Sequence, residues 1–143
     1  MNIEGIIAQI ARIRESANSL IETELQKRSI EGIVPAHGPV LLFLFKQSKP
    51  VPIKAIVKKV GRVKSTVTVM INNLERHGYV QKLPCETDNR VTLIELTPAG
   101  PKLRKDFGQI SEILVNKLYG SMKKKDRQAL VNLLNVIEVN MTQ

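Results

Sequence analysis

A mainly helical domain carrying one small β-hairpin is the fold class that this 143-residue sequence predicts, and three observations predict it. Apolar residues recur with helical spacing through most of the chain. Two short β-like runs, residues 79–83 and 91–97, flank the turn-rich segment PCETDNR. Hydrophobic residues make up 43% of the chain and aromatics only 3%, so a core can form and must be aliphatic.

The elements follow in order. The first roughly 30 residues predict one long helix. Within it Ile3, Ile6, Ile10, Ile13, Ala17 and Leu20 recur at alternating spacings of three and four, a narrow seam suited to helix–helix pairing. Ile7, Ile21 and Leu25 widen that seam. A second helix follows Pro35 through Val40, Leu41, Leu42, Phe43, Leu44 and Phe45; being apolar nearly all round, it is expected at the centre. Ser48-Lys49-Pro50 ends it. Pro52 suits the first turn of a third helix, where its missing N–H costs nothing. Ile53, Ile56, Val57 and Val60 share one face there, Lys54, Lys58 and Lys59 lie off it, and Gly61 stops it. A fourth helix runs over residues 64–77 and closes at Gly78. After the hairpin, Pro98 and Gly100 punctuate the start of a fifth helix over 99–120. A sixth, over 124–141, carries Leu130, Leu133, Leu134, Ile137 and Met141 on one face. No internal repeat or low-complexity segment interrupts this order.

Charge is segregated. Of 22 Lys and Arg, 13 lie in residues 46–105, against four of the 13 Asp and Glu, so this window holds the entire net charge of +9. A basic centre between two neutral flanks points to a polyanion. Other classes lack their signatures. The apolar residues of the N-terminus are spaced and interrupted by Glu4, unlike a signal peptide. No stretch approaches the ~18 uncharged apolar residues of a membrane span, and a soluble, cytoplasmic protein is expected. The single cysteine, Cys85, cannot build a disulfide framework. The patterns H-E-x-x-H, C-x-x-C and G-x-S-x-G are missing, as is a glycine-rich phosphate loop, so no catalytic, metal or cofactor site is expected. His37 is expected as a packed, hydrogen-bonded side chain. His77 closes the fourth helix, where an imidazole suits the negative end of the dipole.

The functional motif is PIKAIVKKVGRVKSTVTVMINNLERHG: helix, short turn at Gly61, helix, the spacing of a helix-turn-helix. On the second of these helices Val67, Met70, Ile71 and Leu74 share a face and should pack inward. The opposite stripe is Ser65, Val69, Asn72 and Arg76, with Lys64 and Thr68 on a flank. It is short, polar and basic, as a major groove demands. Asn72 can read a base or clamp a phosphate, Val69 can touch a thymine methyl, and Ser65 can donate to phosphate beside free backbone N–H groups. Arg76 is placed for a backbone phosphate; Arg62 and Thr66 complete the expected contact set. A β-ribbon after such a motif is a wing. At its tip Arg90 is the side chain expected in a minor groove, Asp88 can orient Arg90 or brace the turn, and Lys82 is expected on phosphate.

The stretch KSTVTVMINNLERHGYVQK, followed by TDNRVTLIELTPAG, resembles the MarR family of bacterial regulators. Asp88-x-Arg90 followed by Leu96-Thr97-x-x-Gly100 is similar to that family's wing signature, and GIVPAHGPVLLFLF resembles its second helix. The resemblance implies a winged helix-turn-helix and a two-fold homodimer. Residues 1–34 and 108–143 would be the dimerisation helices of a single 1–143 domain, and residues 35–107 the DNA-binding part. It implies binding of double-stranded DNA at a pseudo-palindromic operator, one recognition helix per half-site. It also implies a transcriptional regulator, commonly a repressor, that releases DNA when a small-molecule effector fills a cleft. Family members that sense oxidants use cysteines in or near the first helix, and Cys85 lies elsewhere, in the predicted wing. The competing reading is a winged-helix module that binds an acidic protein partner.

Overall fold

The helices form where the apolar spacing places them. The computed structural model describes residues 3–143. A 3₁₀ turn, Ile3–Gly5, leads into α1 (Ile6–Lys27). A second turn, Pro35–His37, leads into α2 (Gly38–Phe45); β1 (Val51–Pro52), α3 (Ile53–Val60), α4 (Lys64–Arg76), β2 (Val80–Pro84) and β3 (Thr92–Leu96) follow. α5 (Gly100–Tyr119) and α6 (Lys124–Thr142) complete the chain.

The chain divides into two compact units: one extends to Ile110, and the other is Ser111–Gln143. In the first, Val40, Leu41 and Leu44 of α2 sit under Ile56 of α3 and Val67, Ile71 and Leu74 of α4, with Val80 and Ile94 from the sheet. Leu103, Phe107 and Ile110 of α5 and Leu25 of α1 join the same core. Phe45 and Phe107 meet edge to face, ring centroids 5.7 Å apart, a geometry worth about 0.5–1.5 kcal/mol beyond the area it buries. Arg28, just past α1, donates to Asp106 at 3.3 Å and also to Gln109, which ties the end of α1 to α5. The α1 seam has another fate. Only its C-terminal end, Ile21 and Leu25, packs into this core, while Ile3, Ile6, Ile7, Ile10 and Ile13 are exposed.

In the second unit α5 ends at a turn where Gly120 takes φ 52°. Arg127 braces that turn, donating to the Met122 carbonyl at 2.8 Å and lying 5.2 Å from the Tyr119 ring centroid. No residue of α6 is buried, and Leu133, Val136, Val139 and Met141 are more than half exposed. No described helix is long and apolar enough to cross a membrane.

Three expectations need correction. Pro52 is not inside the first turn of α3; it caps the helix from an extended conformation, φ −70°, ψ 152°. With Val51 it forms a third strand, so the hairpin is part of a three-stranded antiparallel sheet in the order β1-β3-β2, with Val51 opposite Ile94. Proline's fixed φ is compatible with both roles. Pro84 belongs to β2, opposite Thr92, and not to the turn; it ends the strand, where a missing N–H is tolerated. Leu42 of α2 is 43% exposed, so that helix is less enclosed than its composition implies.

Candidate nucleic-acid interface

Four features of α3 and α4 position the interface. Gly61 takes the left-handed conformation, φ 67°, and its N–H bonds to the Val57 carbonyl, so α3 stops and the chain turns sharply. On α4, Val67, Ile71 and Leu74 are fully buried, so rotation of this helix about its axis is locked by packing. Ser65, Val69, Asn72 and Arg76 therefore face solvent together, Val69 58% exposed. Lys64 is exposed on the first turn, and Thr66 and Thr68 are half-buried on the flanks.

The N-terminus of α4 is uncapped. Its N-cap residue is Val63, whose side chain can accept nothing, and the first N–H bonded back is that of Val67, to the Val63 carbonyl at 3.2 Å. The earlier N–H groups of this turn thus remain available to an outside acceptor. The other end is closed by a side chain: the His77 ring N–H at Nδ1 donates to the Asn73 carbonyl at 2.8 Å. Arg76 donates to Asn73 Oδ1 at 3.1 Å, which holds its guanidinium along the helix.

The wing is braced at both ends. At its tip Asp88 accepts from the Arg90 backbone N–H at 3.0 Å and from Nε and Nη2 at 3.1 and 3.3 Å. These bonds hold the Asp88 carboxyl below the usual carboxylate range. Arg90 nevertheless keeps its side chain 87% exposed. At the base the Thr97 hydroxyl donates to the Gly78 carbonyl at 2.6 Å, and the Gly100 N–H bonds to the Thr97 carbonyl at 2.9 Å. A Cβ on Gly100 would stand 3.1 Å from that of Leu96, so the Leu96-Thr97-x-x-Gly100 pattern is a tight strand-to-helix corner. Cys85, on the wing, has its thiol lowered by the Thr87 hydroxyl 3.3 Å away.

Sequence reasoning missed Glu75 and Tyr79 here and gave Lys82 and Arg62 only one role each. Lys82, expected only on phosphate, donates to Asn72 Oδ1 at 2.6 Å and lies 3.5 Å from Glu75 Oε1, which joins wing to helix. Glu75 carried no assignment at all; its (i, i+3) relation to Asn72 was the only signal. The Tyr79 hydroxyl donates to the Glu31 carbonyl at 2.7 Å, and the His77 ring packs against Gly32, so residues 31–32 support the helix–wing junction. Arg62, expected in the DNA contact set, has a second place. It lies on the α3–α4 turn and lines a cleft of about 180 Å³ with Arg14, Asn18, Pro35, Ala36, Pro39, Val40, Val60 and Met70. His37 is buried as expected: Nδ1 accepts from the Val34 N–H at 3.2 Å, and burial, then the nearby His77, lowers its imidazole. Among the described residues no group of three His, Cys, Asp or Glu could hold a metal ion.

Comparison with known proteins places this geometry. The MarR family model matches residues 40–92, from α2 to the start of β3. The HTH-type transcriptional regulator SarZ of Staphylococcus haemolyticus is 27% identical over 101 residues, 71% of this chain and 67% of its own length. The crystal structure of the S. aureus MepR–DNA complex superposes with a TM-score of 0.80 at 20% identity, covering 97% of this chain and 98% of that one. Bordetella bronchiseptica BpsR, whose DNA binding is regulated by 6-hydroxynicotinic acid, superposes with a TM-score of 0.76 at 18% identity, covering 93% and 98%. At these identities the structural likenesses establish the fold.

Proposed function

We propose that this chain, whose residues 40–92 match the MarR family model, is a sequence-specific, DNA-binding transcriptional regulator that acts as a homodimer. The carrying observation is the exposed stripe Ser65, Val69, Asn72 and Arg76 on a helix locked by its buried face, with Arg90 presented from the adjacent wing. α4 would lie in a major groove, its uncapped N-terminus and Ser65 on a phosphate, and Arg90 would reach the neighbouring minor groove. Lys64, Thr66, Thr68 and Arg76 would border the groove. Lys82 has three donors and uses two on Asn72 and Glu75, so one remains for phosphate.

Dimerisation would use residues 1–34 and 108–143. The support is the apolar surface each unit leaves uncovered: Ile6, Ile7, Ile10 and Ile13 in one, Leu118, Leu133, Leu134 and Val136 in the other. Exposed apolar surface of this extent marks an association face. Two copies would set two recognition helices on successive grooves of a pseudo-palindrome. A small anionic effector would enter the cleft between α1, α2 and the α3–α4 turn, where Arg14 and Arg62 supply charge and Pro35, Pro39, Val40 and Met70 supply an apolar wall. Its occupancy would release DNA, and the protein would act as a repressor.

The test is selection of bound duplexes from a random pool, followed by titration of the selected operator in increasing salt. A dimer with several phosphate contacts should lose orders of magnitude in affinity between about 50 and 200 mM salt and keep its preference over random duplex. Weak retention without sequence preference would instead favour a module for an acidic protein partner.

A further inference from the structure

Asn72 and Lys82 stand on different elements, α4 and β2, and meet across the helix–wing junction at 2.6 Å. A lysine ammonium has three donors and no acceptor, so the amide atom facing it can only be oxygen. The exposed amide of an asparagine otherwise turns over at little cost, presenting either end. Here one end is claimed. Glu75 Oε1, 3.5 Å from the same ammonium, holds Lys82 in place from the next turn of α4. The NH₂ arm of Asn72 is then the arm left for an outside ligand.

We propose that Lys82, anchored by Glu75, is a positioning residue that fixes the Asn72 amide as a donor, so that this position of the recognition helix selects a base edge rich in acceptors. Guanine, with N7 and O6, and thymine, with O4, fit that donor. Adenine read by the two-point asparagine pairing does not, because that pairing needs Oδ1 at the base edge to accept from N6. The proposal rests on the DNA-binding reading above and adds its specificity. It also accounts for an acidic residue inside a basic surface: Glu75 is neutralised by the lysine it holds, and it acts on DNA only through that lysine.

The experiment is duplex selection from a random pool with the full-length protein, its K82M variant, which keeps the stem but has no donor, and E75Q and N72D. Circular dichroism checks that each variant is folded. The wild type should select guanine or thymine at one position of each half-site, by roughly tenfold over adenine. In K82M the amide is free to turn, and the preference over adenine at that position should fall below about threefold, while neighbouring positions keep theirs. N72D, which removes the donor, should lose the preference, and E75Q should weaken it. If K82M lowers affinity by the same factor for every sequence, Lys82 is a phosphate clamp alone and the proposal is overturned. If the wild type selects adenine at the position that N72D disturbs, it is overturned as well. A wild type that selects no duplex removes the DNA-binding reading itself, a different failure.

Discussion

Gly32→Ala should be costly out of proportion to the one methyl group it adds. Gly32 takes φ 80°, a region where a side chain costs about 1–2 kcal/mol. Its Cβ would also collide with the His77 ring, standing only 2.6 Å from Nδ1 and closer still to its carbons. Ordinary carbon contacts need roughly 3.5–4.0 Å. The exposed ring must swing aside, which breaks its 2.8 Å bond to the Asn73 carbonyl. A bond of that kind contributes about 1 kcal/mol. The two effects together predict a loss of about 2–3 kcal/mol. Urea unfolding at fixed protein concentration measures it, since the stability of the proposed dimer would depend on concentration. His77→Ala alone should cost about 1 kcal/mol, the lost helix closure. The double variant G32A/H77A should be no less stable than G32A, because the ring that clashes is gone and the bond is lost in both. Additive losses, or a G32A protein within about 0.5 kcal/mol of the wild type, would refute the placement of residues 31–32 against the recognition helix.

The remaining predictions concern the interface and its pH response. Val63→Ser supplies the missing N-cap of α4 and should stabilise the protein by about 1 kcal/mol, yet weaken operator binding, since the added hydroxyl would occupy the N–H groups proposed to meet phosphate; thermal melts and binding titrations on one preparation separate the two effects. Asp88→Ala should leave the melting temperature unchanged but lower operator affinity several-fold, approaching Arg90→Ala, because Arg90 loses its brace. The Asp88 carboxyl is held below the usual range, so its brace is intact above that range and lost only as pH falls through the lowered value; binding between about pH 6 and 8 should not vary on its account. His37 also has a lowered value, first by burial and then by His77. Its contribution to stability is complete above the ordinary imidazole value near 6.5 and is lost as pH falls through the lowered one. Protonation puts a hydrogen on the Nδ1 that accepts from Val34, so unfolding free energies measured at pH 7 and 5 should differ less in His37→Gln than in the wild type.

The helices and the recognition stripe were legible because both rest on periodicity. The same 3.6-residue spacing that buries Val67, Ile71 and Leu74 places Ser65, Val69, Asn72 and Arg76 outward. The wing brace was legible because Asp88 and Arg90 are two residues apart. β1 was not, since two residues have no period, and Pro52 looks alike as a strand end and as a helix start. The Lys82–Asn72–Glu75 junction was not legible either. Its partners are ten and seven residues apart across a helix end and a turn, so only the path of the chain through Gly78 brings them together. Gly32 against His77 is a contact of still greater separation.

Arg62 shows why the sequence assigns some residues to only one of two surfaces. A basic residue in the turn of a helix-turn-helix is expected on DNA phosphate, and Arg62 is exposed enough to reach it. The fold also sets it among the residues that line the cleft, as it does Arg14. Two guanidinium groups facing one small cavity repel unless an anion lies between them. On the proposed reading, a DNA phosphate and a small anion would compete for this one side chain. An anion that fills the cleft would gain from Arg62 only in a conformation that turns it inward. That difference in affinity is what a ligand needs to shift a protein between two states. The turn that carries Arg62 also sets where α4 begins, so the same movement would displace Lys64 and Ser65, the first residues of that helix. On the proposed reading, release of DNA would require no long path through the core. It would follow from one arginine within reach of two anions.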